Sequence, residues 1–97
     1  MGWEYVYSDF DPRVSLEERT KIANVMIDMF YKGDKERDVD TGQCEARVYT
    51  RGEYASTGYF AGPIYRADIT NDQGTFKMNV IVCKERPAWV DQDPDLN

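Results

Sequence analysis

Residues 15–33 read SLEERTKIANVMIDMFYKG and carry the strongest local signal in the chain. Ser15 with Glu18 three residues later forms a capping box, in which the hydroxyl accepts from a first-turn N–H and the carboxylate reaches back. Glu17 and Glu18 also lie where the helix dipole favours negative charge. Leu16, Ile22, Ala23, Val25, Met26, Ile27, Met29 and Phe30 then recur at helical spacing and cover more than half the circumference. Glu17, Thr20, Lys21, Asn24, Asp28 and Lys32 gather on the remaining strip, where Tyr31 also falls against the pattern. Gly33 is placed to cap the C-terminus. The pattern predicts a helix over 15–32 that is mostly buried, so the rest of the chain has to supply a broad apolar face.

Strand signals supply it. In 44–51, CEARVYTR, the residues Cys44, Ala46, Val48 and Thr50 point one way, and Glu45, Arg47, Tyr49 and Arg51 the other. Residues 75–83, TFKMNVIVC, put Phe76, Met78, Val80 and Val82 on one face, and the NDQG turn joins them to the strand IYRADIT at 64–70. A short strand is expected around Trp3–Tyr7, ended by Asp11-Pro12. A weaker strand is expected within EYASTGYFAG, with Gly58 at a bulge and Gly62-Pro63 interrupting it or marking an edge. The segment GDKERDVDTG, 33–42, reads as a charged loop, and KERPAWVDQDPDLN as a tail that Trp89 pins at its start. The expected fold is α+β, an antiparallel β-sheet of 3–5 strands with one main α-helix packed on one face. Residues 1–90 form a single domain and 91–97 an acidic C-terminal tail.

The composition narrows the function. At 97 residues, 41% apolar and 13% aromatic, the chain has material for one core. The start has neither a basic nor an apolar signal region, and no run is long enough to span a membrane. The expected location is cytoplasmic, in the protein's own cell or a host's. Cys44 and Cys83, far apart in sequence, are expected as reduced core residues. There is no histidine, which removes the commonest general base and metal ligand, and there is no Gly-rich phosphate loop. No enzyme, catalytic residue or cofactor is expected. Calcium is expected to find no site either: the stretch DVDTGQ from Asp38 puts glycine fifth and glutamine sixth, out of step with an EF-hand loop.

The net charge of −6 sits at the ends of the chain. Residues 1–40 carry −4, residues 85–97 carry −3, and the middle carries +1. No basic stripe is present for direct nucleic-acid binding. Two rows of acids recur at every second position: Asp34, Glu36, Asp38 and Asp40, and then Asp91, Asp93 and Asp95. In an extended chain, residues two apart are about 6.6 Å apart on one side, roughly two axial steps of about 3.4 Å along a DNA strand. Such rows suit a basic surface built for nucleic acid. The same acids equally suit a solvated loop and tail.

In size, acidity and the segments DKERDVD and DQDPD beside tyrosine-rich strands, the chain resembles the small acidic inhibitors of phages and mobile elements, the anti-CRISPR proteins and other nucleic-acid mimics. Its middle, at +1, departs from a mimic that is acidic throughout. The resemblance implies a DNA-mimic inhibitor that covers the basic nucleic-acid-binding surface of a partner enzyme complex. The partner-binding residues would be Asp34, Glu36, Asp38, Asp40, Tyr49, Asp91, Asp93 and Asp95. The other reading is a structural or assembly subunit, or an immunity-type partner protein, binding through a tyrosine-rich sheet face that includes Tyr49 between Arg47 and Arg51.

Overall fold

A computed structural model of the protein describes residues 4–56 and 61–83. The elements follow as β1 (Glu4–Asp9), α1 (Leu16–Lys32), β2 (Glu36–Asp40), β3 (Glu45–Tyr49), β4 (Tyr54–Ser56), β5 (Ala61–Asn71) and β6 (Gly74–Cys83). The strands pair antiparallel in the order β1-β6-β5-β3-β2, and β4 adds to β5. The architecture is α+β, with α1 packed on one face of the sheet. Strands β2, β3, β5 and β6 form a meander in chain order. The first strand returns beside the last, so the ends of the described chain meet at one sheet edge.

The helix forms as its sequence dictates, with one change at its start. The Ser15 Oγ accepts from the Glu18 N–H at 3.2 Å. The reciprocal half of the capping box does not form: Glu18 is buried, and its carboxyl helps to raise the pKa of the nearby Cys44 thiol. Arg19 is buried beside it, its guanidinium 4.0 Å from the centroid of the Phe10 ring and its Nε donating to Val14 C=O at 3.2 Å. Leu16, expected inside, is 60% exposed at the first position of the helix. At the other end Gly33 adopts φ 74°. Gly33 N–H donates to Phe30 C=O and Asp34 N–H to Met29 C=O, the Schellman pattern that lets the chain reverse into β2.

Ile22, Met26 and Met29 of α1 interleave with Val48, Ile69, Met78 and Val80 of the sheet, all fully buried. Truncating one such side chain to alanine costs about 2–5 kcal/mol. Cys44 joins this core. Cys83 lies in a smaller cluster with Ile81, packed by Ala55 and Ile64. Both cysteines are buried thiols outside any disulfide, as the sequence led one to expect.

Two sequence expectations need correction. The segment expected as a charged loop is strand β2, paired over Glu36↔Tyr49 to Asp40↔Glu45. Gly62-Pro63 does not interrupt a strand but lies inside β5. Strand β5 changes partner along its length, pairing β4 over Ala61–Pro63 and β3 over Arg66–Thr70. The step between them is closed by Thr50 Oγ1 donating to Ile64 C=O at 2.8 Å and Ile64 N–H donating to Glu53 C=O at 3.0 Å. Pro63 lies on the β4-paired side of the switch, beyond the continuous β3–β5 ladder. At Gly62 the backbone runs so close to β6 that an added Cβ would stand 1.7 Å from the Val82 carbonyl oxygen.

Two stability outcomes follow. Ser15→Ala should lower stability by about 0.5–2 kcal/mol through loss of the cap, read as a shift in the urea midpoint. Gly62→Ala should cost about 1–3 kcal/mol or more, because backbone rather than a movable side chain blocks the methyl, and should appear as a lower midpoint with unchanged slope.

Candidate functional site

Because α1 covers one face of the sheet, the other is where side chains of β2, β3, β5 and β6 meet solvent, and their register makes it a grid. Asp40, Glu45, Thr70 and Thr75 form one row, Asp38, Arg47, Asp68 and Lys77 the next, and Glu36, Tyr49, Arg66 and Asn79 the third. Arg47 pairs diagonally with Glu36. Arg66 is held by Asn79 Oδ1 at 2.9 Å and Glu53 at 2.8 Å. Arg51 stacks over Tyr49, 5.6 Å from the ring centroid. Lys77 lies 3.8 Å from the Asp68 carboxylate. The Asp38–Arg47–Asp68 row borders an open depression of about 570 Å³ that Asp40, Glu45 and Thr70 also line.

The acids at its rim come from a single strand. Glu36, Asp38 and Asp40 are exposed, and Arg37 and Val39 between them are half-buried on the helix side. The inward turn of Arg37 has a definite cause. Its guanidinium donates to Asp28 of α1 at 2.7 Å and also to Asp34. The Arg37 guanidinium, with Lys32 adding to it, holds the Asp28 carboxyl below its usual range. Asp34 is therefore not a member of the outward row. It belongs to a partly exposed ion cluster at the end of the helix.

Asp40 is directly opposite Glu45. This is a non-hydrogen-bonded pair, because the neighbouring Thr41 bonds Cys44 across the turn. Side chains approach more closely in such pairs, and like charges facing each other across strands are destabilising. Asp40 is further engaged by Gly42, whose N–H donates to Oδ1 at 2.8 Å in the tight β2–β3 turn. Glu45, the fourth acid of this end, was legible in the strand alternation but was not singled out, because its place beside the acidic row depends on β2 being a strand.

Of the remaining expected site residues, Tyr49 stands on this face opposite Glu36. Asp91, Asp93 and Asp95 lie outside the described residues, as do Tyr59, Gly58, expected at a bulge, and Trp89, expected to pin the tail. The described tyrosines do not make one surface: Tyr65 is in the core, Tyr5 packs against it, Tyr31 is exposed on the helix and Tyr54 on β4. Among the described residues no group of three or more carboxylates and thiols is arranged to hold a metal ion, and no helix is long and apolar enough to cross a membrane. Burial pushes the Cys44 thiol above its ordinary value, and the neighbouring Glu18 adds to the shift while the Thr41 hydroxyl opposes it. This lowers the nucleophilicity of the thiol. Comparison of the chain with models of known families, with characterised proteins and with solved structures gives no match.

The Arg37 cluster carries a pH signature. Asp28 has a lowered folded pKa, so its contribution is complete above the unfolded carboxylate value of about 4 and is lost as pH falls through the folded one. Arg37→Gln should therefore destabilise the protein at pH 6 more than at pH 2. Urea midpoints of parent and variant across this range should converge on the acid side.

Proposed function

We propose that the protein is a non-enzymatic binding protein whose acidic sheet edge docks on the basic, nucleic-acid-binding surface of a partner, in the manner of the nucleic-acid mimics it resembles. The observation that carries this reading is the cluster of Asp38, Asp40 and Glu45 at one end of the outer face. The nearest base on that grid, Arg47, is engaged by Glu36. Setting Asp40 against Glu45 works against folding by a few tenths of a kcal/mol to about 1 kcal/mol. A cationic partner turns that repulsion into attraction. Along β2 the carboxylates are spaced by about 6.6–6.8 Å, the pitch of alternate residues in a strand, and they sit on a paired strand, so little ordering entropy is lost on binding.

The competing reading, a tyrosine-led interface, has Tyr49 with its Arg51 neighbour in its favour. Salt separates the two, since screening weakens an exposed charge interface far more than an aromatic one.

The test is capture from a lysate by immobilised protein, with the parent beside the triple variant Asp38→Asn, Asp40→Asn, Glu45→Gln. The parent should retain a nucleic-acid-binding protein that added DNA or RNA displaces. The variant should retain about tenfold less or below, with its stability close to the parent's because exposed charges contribute little to folding. Capture that survives both neutralisation and about 0.5 M salt, where the Debye length is only a few ångströms, would assign binding to the tyrosine surface instead.

A further inference from the structure

The acids of β2 coincide with a second feature, a strand edge that no other described strand pairs. Thr50 N–H donates to Lys35 C=O at 2.9 Å, and Thr41 N–H to Cys44 C=O at 3.0 Å. Hydrogen-bonded and non-hydrogen-bonded pairs alternate along an antiparallel ladder. Positions 35, 37, 39 and 41 therefore turn their main-chain groups towards β3, while Glu36, Asp38 and Asp40 turn theirs out of the sheet. The same three residues thus present N–H and C=O groups with no partner among the described residues along the edge, and carboxylates on the outer face.

Exposed edges are ordinarily blunted by a proline, a bulge, an inward charge or lysines. The opposite edge, β1, has a register irregularity between Tyr7 and Asp9. The β2–β3 register is continuous from Glu36↔Tyr49 to Asp40↔Glu45, with no proline and no bulge. Its one inward charge, Arg37, is neutralised by Asp28 and Asp34.

We infer that β2 accepts an extended basic segment of the partner as an added antiparallel strand, with Lys or Arg at every second position opposite Glu36, Asp38 and Asp40. This rests on the basic partner proposed above and specifies how part of it is bound. A second copy of this chain is the wrong occupant. Antiparallel self-pairing centred on Asp38 would set Asp38 against Asp38 and Glu36 against Asp40, three like-charge contacts in one short ladder. A basic strand reverses the sign of each contact while main-chain bonds supply affinity, the usual division of labour in strand addition. Between its basic positions, on the helix side, the added strand would pass half-buried Val39, which suits an apolar residue.

The test uses the full chain and a synthetic probe, acetyl-Lys-Val-Lys-Val-Lys-amide, followed by amide NMR. Two analogues of equal charge separate main-chain bonding from attraction. One is N-methylated on the lysines, whose N–H groups would face β2, and the other on the valines, whose N–H groups would face away. The expected result is amide shifts centred on Glu36, Asp38 and Asp40, with affinity about tenfold lower or worse for the lysine-methylated peptide and near the parent's for the valine-methylated one. Equal affinities for all three peptides, or shifts centred elsewhere, would overturn strand addition and leave the acidic-surface reading standing. Parent-like binding of the unmethylated peptide to the Asp38→Asn, Asp40→Asn variant would instead remove the acidic surface from that reading.

Discussion

The side-chain parity of β2 depends on Arg37. A strand side chain points to one face or the other with a period of two, so fixing one residue fixes the rest. The Arg37 guanidinium is drawn to the helix side by Asp28 on α1 and Asp34 in the turn that follows. Glu36, Asp38 and Asp40 then have no choice but the outer face. Val39 is too small and too near the edge to set the parity on hydrophobic grounds alone: it packs on the core but stays half-buried. The Schellman turn at Gly33 contributes by delivering Asp34 to the position from which it meets Arg37. An ion cluster that is only marginal as a source of stability, being largely exposed, thus selects which side of the sheet carries the acids.

The inner layer rests on apolar packing. Met26, Met29 and Ile22 meet a sheet face on which β6 contributes Phe76, Met78, Val80 and Val82, and the flexible methionines fill the irregular space between a helix and a twisted sheet. Where α1 starts, polar groups enter this layer. Glu18 is buried near the Cys44 thiol, and Arg19 stacks on Phe10 and donates to Val14 C=O, so the first turn is held by specific contacts as well as by apolar area. One carboxylate oxygen of Glu18 has no hydrogen-bond partner among the described residues, a cost that the surrounding packing absorbs.

Much of this was legible in the sequence where one periodicity dominated. The helix, β3 and β6 each repeat apolar residues at a single clean period, and each occurs within a few residues of where that period places it. Strand β2 was missed because its five residues, ERDVD, hold one apolar side chain, and charge density reads as loop. What makes it a strand is non-local: the β2–β3 turn, the ladder to β3 and the reach of Arg37 to the helix. Gly62-Pro63 read as an interruption for a similar reason. Its meaning depends on β5 exchanging one neighbour for another, and on the closeness of the Val82 carbonyl, neither of which is local. The acidic row was visible as spacing, but its true membership was not. Asp34 falls out to Arg37 and Glu45 comes in from β3, because only pairing tells which acids share a face.

The same pairing sets charges from different parts of the chain on one face. The middle of the sequence is nearly neutral, yet the outer face is not uniform. Asp38, Asp40 and Glu45 collect at the end that holds the β2–β3 turn. Arg47 and Arg51 line the other side of the face around Tyr49, with Arg66 and Lys77 close by. Most of these bases have acidic neighbours, but they are carried on long stems that reposition easily, whereas the short aspartates on β2 stay where the strand puts them. For a basic partner the result is directional. Attraction at the acidic end and repulsion at the basic end favour one orientation over its reverse, and like-charge contacts in the wrong pose are the stronger discriminator. A uniformly acidic surface would bind cations more strongly and orient them less. For the basic partner proposed above, the +1 middle of the chain, which departs from an acidic-throughout mimic, would be the part that supplies orientation.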